Sequence, residues 1–232
     1  MLEFKQTRLL YASRPVLEFV NLIVAPGERY GLLGSSGAGK TSLLKMAAGI
    51  VLPTSGSCVN HYRRPALLFQ EPRLLPWRTV RQNIEIPLRA MGLSKSDVQR
   101  RTSEWINRVE LMPAADAWPG ELSGGMAQRA ALARAFALEP DLLLLDEPFS
   151  ALDPALRATL SEMCSDYVRK SGAALVCSSH HPEELVRMVD CCLLISNGHI
   201  HRYDINAEDP TSSARTAHRL HQHLADKQAH TP

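Results

Sequence analysis

The chain has 232 residues, a net charge of +2 from 26 basic and 24 acidic side chains, and 45% hydrophobic residues. That composition is ordinary for a globular protein, and its charge balance argues against a dedicated nucleic-acid binder, which concentrates basic charge on one surface. No apolar run approaches the ~18 residues of a spanning helix, and Met1-Leu2-Glu3-Phe4-Lys5 lacks a secretory pattern, so the expectation is a cytosolic protein whose attachment to any membrane comes from a partner.

Residues 1–33 alternate apolar and polar side chains, with turn signals at Ser13-Arg14-Pro15 and Pro26-Gly27, and predict antiparallel strands. Tyr11 closes the first strand pattern. It reads either as a half-buried strand tyrosine or as a ring that stacks on a nucleotide base. Arg29-Tyr30-Gly31-Leu32-Leu33 reads as a short buried strand leading into Gly34-Ser35-Ser36-Gly37-Ala38-Gly39-Lys40-Thr41. This octet fits the phosphate-binding pattern G-x-x-x-x-G-K-[ST], and a helix from Ser42 to Ala48, stopped by Gly49, follows it. Glycines let the backbone turn its N–H groups toward phosphate oxygens, and the helix N-terminus adds partial positive charge. Lys40 is expected at the β- and γ-phosphates and the Thr41 hydroxyl on Mg²⁺.

A turn is predicted over Pro53–Ser57 and a buried strand over Pro65–Phe69, with Gln70 just past its end. That edge of an α/β sheet is where ligands collect, and Gln70 there can orient a water or touch Mg²⁺, or merely bond backbone. Thr79 is placed to cap a helix toward Ile84–Ile86 that Pro87 interrupts. Ser94 with Asp97 resembles a capping box ahead of a helix over 95–109, whose apolar face carries Val98, Trp105, Ile106 and Val109. Residues from about 78 to 120 break the alternation of strand and helix and read as an inserted helical subdomain. With the next helix it extends to about residue 138.

Leu122-Ser123-Gly124-Gly125-Met126 opens an Ala/Leu-rich helix over 125–138. Ser123, Gly124 and Gly125 offer either a second anion site or an ordinary N-cap. Four leucines, Leu142–Leu145, cannot alternate and predict a strand covered on both faces, ending in Asp146 and Glu147. Two carboxylates at the end of an apolar strand call for a compensating cation. Asp146 suits Mg²⁺, and Glu147 suits alignment or deprotonation of an attacking water. Asp153 is a helix N-cap candidate for residues 154–170. A further buried strand over 173–178 delivers His180 to the same edge, as a phosphate contact or as a structural histidine. Asn197-Gly198 marks a hairpin between residues 191–195 and 200–203. The five cysteines, odd in number and without C-x-x-C spacing, read as reduced and mostly buried. Residues 206–232, with His218, His221, His223 and His230, read as a polar tail, with a short helix possible over 212–225.

Together these segments resemble the nucleotide-binding subunit of an ATP-binding cassette (ABC) transporter over about residues 1–205. Its landmarks appear in order: GSSGAGKT as Walker A, Gln70 as the Q-loop, LSGGM as the signature, LLLLDEP as Walker B, SALD as the D-loop and His180 as the H-switch. The resemblance implies an α/β P-loop NTPase with a RecA-like core, an N-terminal antiparallel β subdomain and the inserted helical subdomain. It implies ATP and Mg²⁺ as cofactors. Tyr11 would stack on adenine, residues 34–42 including Ser42 would cradle the phosphates, and Thr41, Gln70 and Asp146 would surround the metal. Glu147, His180 and Gln70 would be catalytic. Two cassettes, identical or paired, would close head to tail, so that Ser123, Gly124 and Gly125 of each complete the other's nucleotide site. Gln70 and the Leu74–Trp77 loop would meet a permease on the cytoplasmic side of the plasma membrane, served by a periplasmic binding protein. The signature variant and the Leu-Leu-Pro-Trp string look like the importers of nitrate, sulfonates, taurine and pyrimidine precursors. An exporter or extraction complex, or a nucleic-acid- or ribosome-associated ATPase, are the alternatives. Met126 and His181 depart from the family's usual glutamine and aspartate, and neither removes a phosphate contact.

Overall fold

The computed structural model describes residues 1–205 and Ala217. The histidines of the tail and the helix expected over 212–225 lie outside the described residues.

The fold is built on one six-stranded sheet. Its strands are β3 (Arg29–Leu33), β5 (Pro65–Leu68), β6 (Leu142–Asp146), β7 (Ala174–Ser178), β8 (Cys191–Ser196) and β9 (His199–Asp204), in the order β5-β6-β7-β3-β8-β9. All pairs are parallel except β8 with β9, whose antiparallel register runs through the Asn197-Gly198 turn. The leucine run behaves as its lack of alternation requires. Leu143 and Leu145 pack into a core with α2 (Val80–Ala90), α3 (Lys95–Arg108), α4 (Gly124–Ala137) and α5 (Pro154–Ser171). Leu142 and Leu144 enter a second core, on the other face, with α1 (Lys40–Ala47) and the antiparallel strands. Both faces of a parallel sheet must be covered because its backbone cannot alternate between core and water.

The second sheet, β2-β1-β4, joins β1 (Leu2–Tyr11) antiparallel to β2 (Arg14–Val24) and to β4 (Ser55–Asn60). Two sequence expectations change here. Arg29–Leu33 leaves the antiparallel set and becomes a central parallel strand, its sequence apolar enough to be buried on both sides. The turn expected over 53–57 gives way at Ser55 to strand β4, which pairs with β1, and Gly56 passes so close to the bulge at Gln6 that only glycine fits. Polar residues hid this strand: its burial pattern has no fully buried position.

Helix α2 also departs from expectation. It runs through Pro87 instead of ending there. Thr79 caps it in a reciprocal box with Gln82, and the buried face of Val80, Ile84 and Leu88 holds the turn that proline leaves one hydrogen bond short. In α3 the face formed by Val98, Trp105 and Ile106 is buried as the spacing predicts, with Val109 buried at its C-cap. Ser94 caps it, but Asp97 returns its carboxylate to the Ser94 hydroxyl rather than to the backbone. Trp105 stacks on Phe136 of α4, which meets Tyr167 of α5 edge-on, so the three helices share one aromatic contact. Among the described residues no helix is long and apolar enough to cross a membrane.

The five cysteines are unpaired, four of them buried. Burial pushes the Cys58 and Cys191 thiols up to about 11 and Cys192 up to about 12. At pH 8 the thiolate fraction at Cys58 is then on the order of one in a thousand. An aromatic disulfide reagent should therefore react slowly with the native protein at pH 8 and titrate all five thiols promptly in denaturant. Gly56→Ala should destabilise by about 2–4 kcal/mol in urea titrations, since its Cβ would sit 2.1 Å from the Gln6 carbonyl oxygen at φ +74°.

Candidate functional site

Parallel strands all point their C-terminal ends the same way, so the loops after β3, β5, β6 and β7 converge on one edge. The sequence-predicted groups Gln70, Asp146, Glu147 and His180 are brought together there with the Gly34–Thr41 loop.

Gly34 and Gly39 are glycines by necessity. A Cβ at Gly34 would lie 2.8 Å from the Ile195 carbonyl, and one at Gly39 would press on Val16 and Leu17 of β2 at a φ of +106°. Gly37 has open space around it. The contact at Gly39 seats the start of β2 against the loop. The hairpin bearing Tyr11, paired with Arg14 and half-exposed, belongs to the same strand pair. Helix α1 begins at Lys40, two residues earlier than the sequence suggested, and has no acid in its first turn to compete with an anion.

The Lys40 ammonium is buried and donates to the Gly34 and Ser35 carbonyls at 2.8 and 3.2 Å. Burial holds its pKa below the usual lysine value, opposed by the charges of Glu147 and Asp146. Thr41 Oγ1 donates to Asp146 Oδ2 at 2.7 Å. A hydroxyl and a carboxylate converging at the head of a phosphate loop form the all-oxygen donor set that a hard divalent cation takes. Among the described residues no cluster of three His, Cys, Asp or Glu side chains forms an alternative metal site.

Asp146 Oδ1 accepts a second hydrogen bond, from Ser178 Oγ at 2.8 Å. Ser178 Oγ in turn accepts from the Glu147 N–H at 3.0 Å. Ser178 therefore fixes both acids, a role the sequence reading missed. The one available signal was a hydroxyl ending an otherwise apolar strand. Glu147 adopts φ +48°, a left-handed conformation costing about 1 kcal/mol or more outside glycine. This twist turns its carboxylate off the strand line. Oε1 lies 2.6 Å from His180 Nε2, and Oε2 accepts from Gln70 Nε2 at 3.2 Å. Gln70 thus meets Glu147 in this structure, not the Thr41–Asp146 pair.

Ser123, Gly124 and Gly125 do not join this group. Ser123 caps α4 by accepting from the Met126 N–H at 3.3 Å, and Ser123 and Gly124 are exposed. Their helix leaves its first turn facing solvent. Asp153 is the N-cap of α5, accepting from the N–H groups of Ala155 and Leu156.

Residues 17–150 match the family described as "ABC transporter". The aliphatic sulfonates import ATP-binding protein SsuB of Corynebacterium glutamicum is 41% identical over 193 residues, covering 83% of this chain and 79% of that protein. The nitrate import ATP-binding protein NrtC of Synechococcus elongatus is 40% identical over 191 residues, 78% of this chain but 29% of that longer protein. The dimeric structure of MJ0796, a bacterial ABC transporter cassette, superimposes with a TM-score of 0.83 at 25% identity, over 89% of this chain and all of that one.

Ser178→Ala should remove the partner of Asp146 Oδ1 and of the Glu147 N–H together. A loss of about 1–3 kcal/mol in equilibrium unfolding of the nucleotide-free protein is expected.

Proposed function

The chain belongs to the ABC transporter family, and on that premise we propose that this ATPase is the energy-coupling subunit of a solute importer, working as a head-to-tail pair of cassettes. The observation that carries the catalytic half is the Glu147 carboxylate, held between Gln70 and His180 one residue beyond the Thr41–Asp146 pair.

Residues 34–42 would wrap the β- and γ-phosphates with backbone N–H groups. Ser42, in the first turn of α1, stands at the positive end of the helix. Lys40 already lies inside the loop and would exchange its two carbonyl partners for phosphate oxygens. Tyr11, exposed beside the start of β2, would take the adenine on its ring face. Thr41 and Asp146 would hold Mg²⁺, with Gln70 swinging from Glu147 to join them. Bound there, the metal would neutralise charge on the transferring phosphoryl group.

Glu147 would align the attacking water and accept its proton. His180, now at the Glu147 carboxylate, would turn to the γ-phosphate while keeping Glu147 in register. Phosphoryl transfer asks chiefly for positioning and charge stabilisation, and these side chains supply both. Ser123, Gly124 and Gly125 sit at an open helix start, away from the Gly34–Thr41 loop of their own chain among the described residues. That arrangement supports their service to a second cassette.

Trp77, 63% exposed, supports a docking loop for a membrane permease, with this subunit held peripherally on the cytoplasmic face. A periplasmic binding protein would complete the system. Relatives named for sulfonate and nitrate import support a small oxyanion as the solute. The exporter reading shares every catalytic residue and lacks such support. The nucleic-acid reading is disfavoured by the balanced charge.

Lys40→Ala should lower ATP turnover by about 10²–10³-fold, the usual effect of deleting one electrostatic donor, and should abolish ATP-driven uptake. Survival of uptake would sink the proposal. Glu147→Gln should bind ATP and accumulate as a dimer in size-exclusion chromatography, and a monomer at saturating ATP counts against the sandwich. Trp77→Ala should lose co-purification with the permease and keep ATP binding.

A further inference from the structure

The segment between Gln70 and helix α2 has little regular structure, yet it is tied down at both ends. At one end the Arg134 guanidinium, from the last turn of α4, donates through Nη2 to the Pro72 carbonyl at 2.9 Å and through Nη1 to the Arg73 carbonyl at 3.0 Å. At the other end the fully buried Asn83 of α2 accepts from the Leu75 N–H at 2.7 Å. It donates to the carbonyls of Leu75, Arg78 and Thr79. Between the two clamps Leu74 packs on the core, and Trp77 stays exposed.

Arg134 is an expensive way to fasten a loop. Burial depresses its pKa, and among the described residues no carboxylate pairs with it. A partly buried guanidinium bonded to two adjacent carbonyls fixes that peptide in position and in orientation, because its planar fork bonds both at once. Arg73 sits at φ +46° with its own guanidinium 3.8 Å above the Phe69 ring. The grip therefore reaches back to the residue before Gln70.

Helix α4 makes two further attachments. Its N-cap is Ser123, and Gln128 Nε2 donates to the Pro148 carbonyl at 2.9 Å, next to Glu147. One rigid helix thus carries the exposed signature, touches the chain just after the catalytic acid, and grips the loop just after Gln70. We propose that Arg134 is a positioning residue for coupling. By locking peptides 72–73 to α4, it makes a displacement of the signature helix and a displacement of the Trp77 loop a single movement. Asn83 holds the far side of the loop, so the motion is delivered at Trp77 instead of dissipating in slack backbone. The inference rests on reading Trp77 as the permease contact, but the mechanical link itself does not.

The test uses the full chain and the variants Arg134→Ala and Arg134→Lys. Amide hydrogen exchange is followed with and without magnesium and a non-hydrolysable ATP analogue. In the native protein, residues 71–78 and 124–137 should change protection together on adding nucleotide. Arg134→Ala should keep the response of 124–137 and lose that of 71–78, and Arg134→Lys, with one bond in place of two, should fall between. With the reconstituted permease, stimulated turnover of Arg134→Ala should drop about tenfold, within the usual range of inter-site coupling, while its KM for ATP stays put. A native response in 71–78 of Arg134→Ala overturns the proposal. So does a loss of both responses that tracks a fall in melting temperature, which would mark a merely structural role. If the native subunit gains nothing from the permease, the importer reading fails while the exchange result still decides the clamp.

Discussion

A carboxylate at the end of a fully apolar strand is the constraint from which this structure follows. Asp146 is buried behind four leucines, and it is kept there by two hydroxyls, Thr41 from the phosphate loop and Ser178 from the neighbouring strand. Each hydroxyl comes from a different βα junction, so satisfying one acid fixes the relative register of β3, β6 and β7. The Ser178 oxygen then serves a second time as acceptor for the Glu147 N–H, and Glu147 takes up its left-handed conformation beside it. The placement of the two acids is thus a by-product of hydrogen-bond accounting at the edge of a sheet, where an unpaired buried donor or acceptor would cost about as much as a whole stabilising contact.

The polar groups of the candidate site satisfy one another. Lys40 folds onto its own loop carbonyls, Gln70 and His180 share Glu147, and Thr41 closes on Asp146. Every one of these bonds joins groups that the bound triphosphate and its cation would compete for. On the proposed reading nucleotide binding would be an exchange of partners, and an exchange of hydrogen bonds is close to balanced in free energy. Charge would then shift the balance: a triphosphate would offer Lys40 and the N-terminus of α1 a countercharge that neutral carbonyls do not.

The signature helix gives this local exchange a longer reach. α4 packs its alanine-rich flank into the core with α2 and α3, and its polar exceptions each reach out to a loop: Gln128 to Pro148, Arg129 to the carbonyls of Val109 and Glu110, and Arg134 to Pro72 and Arg73. Polar residues spaced along an otherwise apolar helix are costly in a core unless each has a partner. Here the partners are the backbone of segments that lead to the site or to the exposed Trp77. From Gln128 on, the helix behaves as a single solid part because its alanines allow close packing against its neighbours.

The string alone was enough to lay out the layered α/β plan and to name the residues that gather at its edge. Gly34, Gly39, Lys40 and Thr41 are bound to one another by covalent spacing, and Leu142–Leu145 can only be a strand covered on both faces. These are local rules, and local rules can be read from a string. It fell short where a neighbour distant in sequence decided the outcome. β4 exists because β1 offers it an edge, although its own residues are polar. α2 passes through Pro87 because Val80, Ile84 and Leu88 are buried on either side of it. Ser178 matters because it lies opposite Asp146 in the sheet register, and Arg134 because the loop after Gln70 runs under its guanidinium. Hydrogen bonds and packing across 30 or 60 residues of chain leave no periodic trace, so only the folded structure could assign those roles.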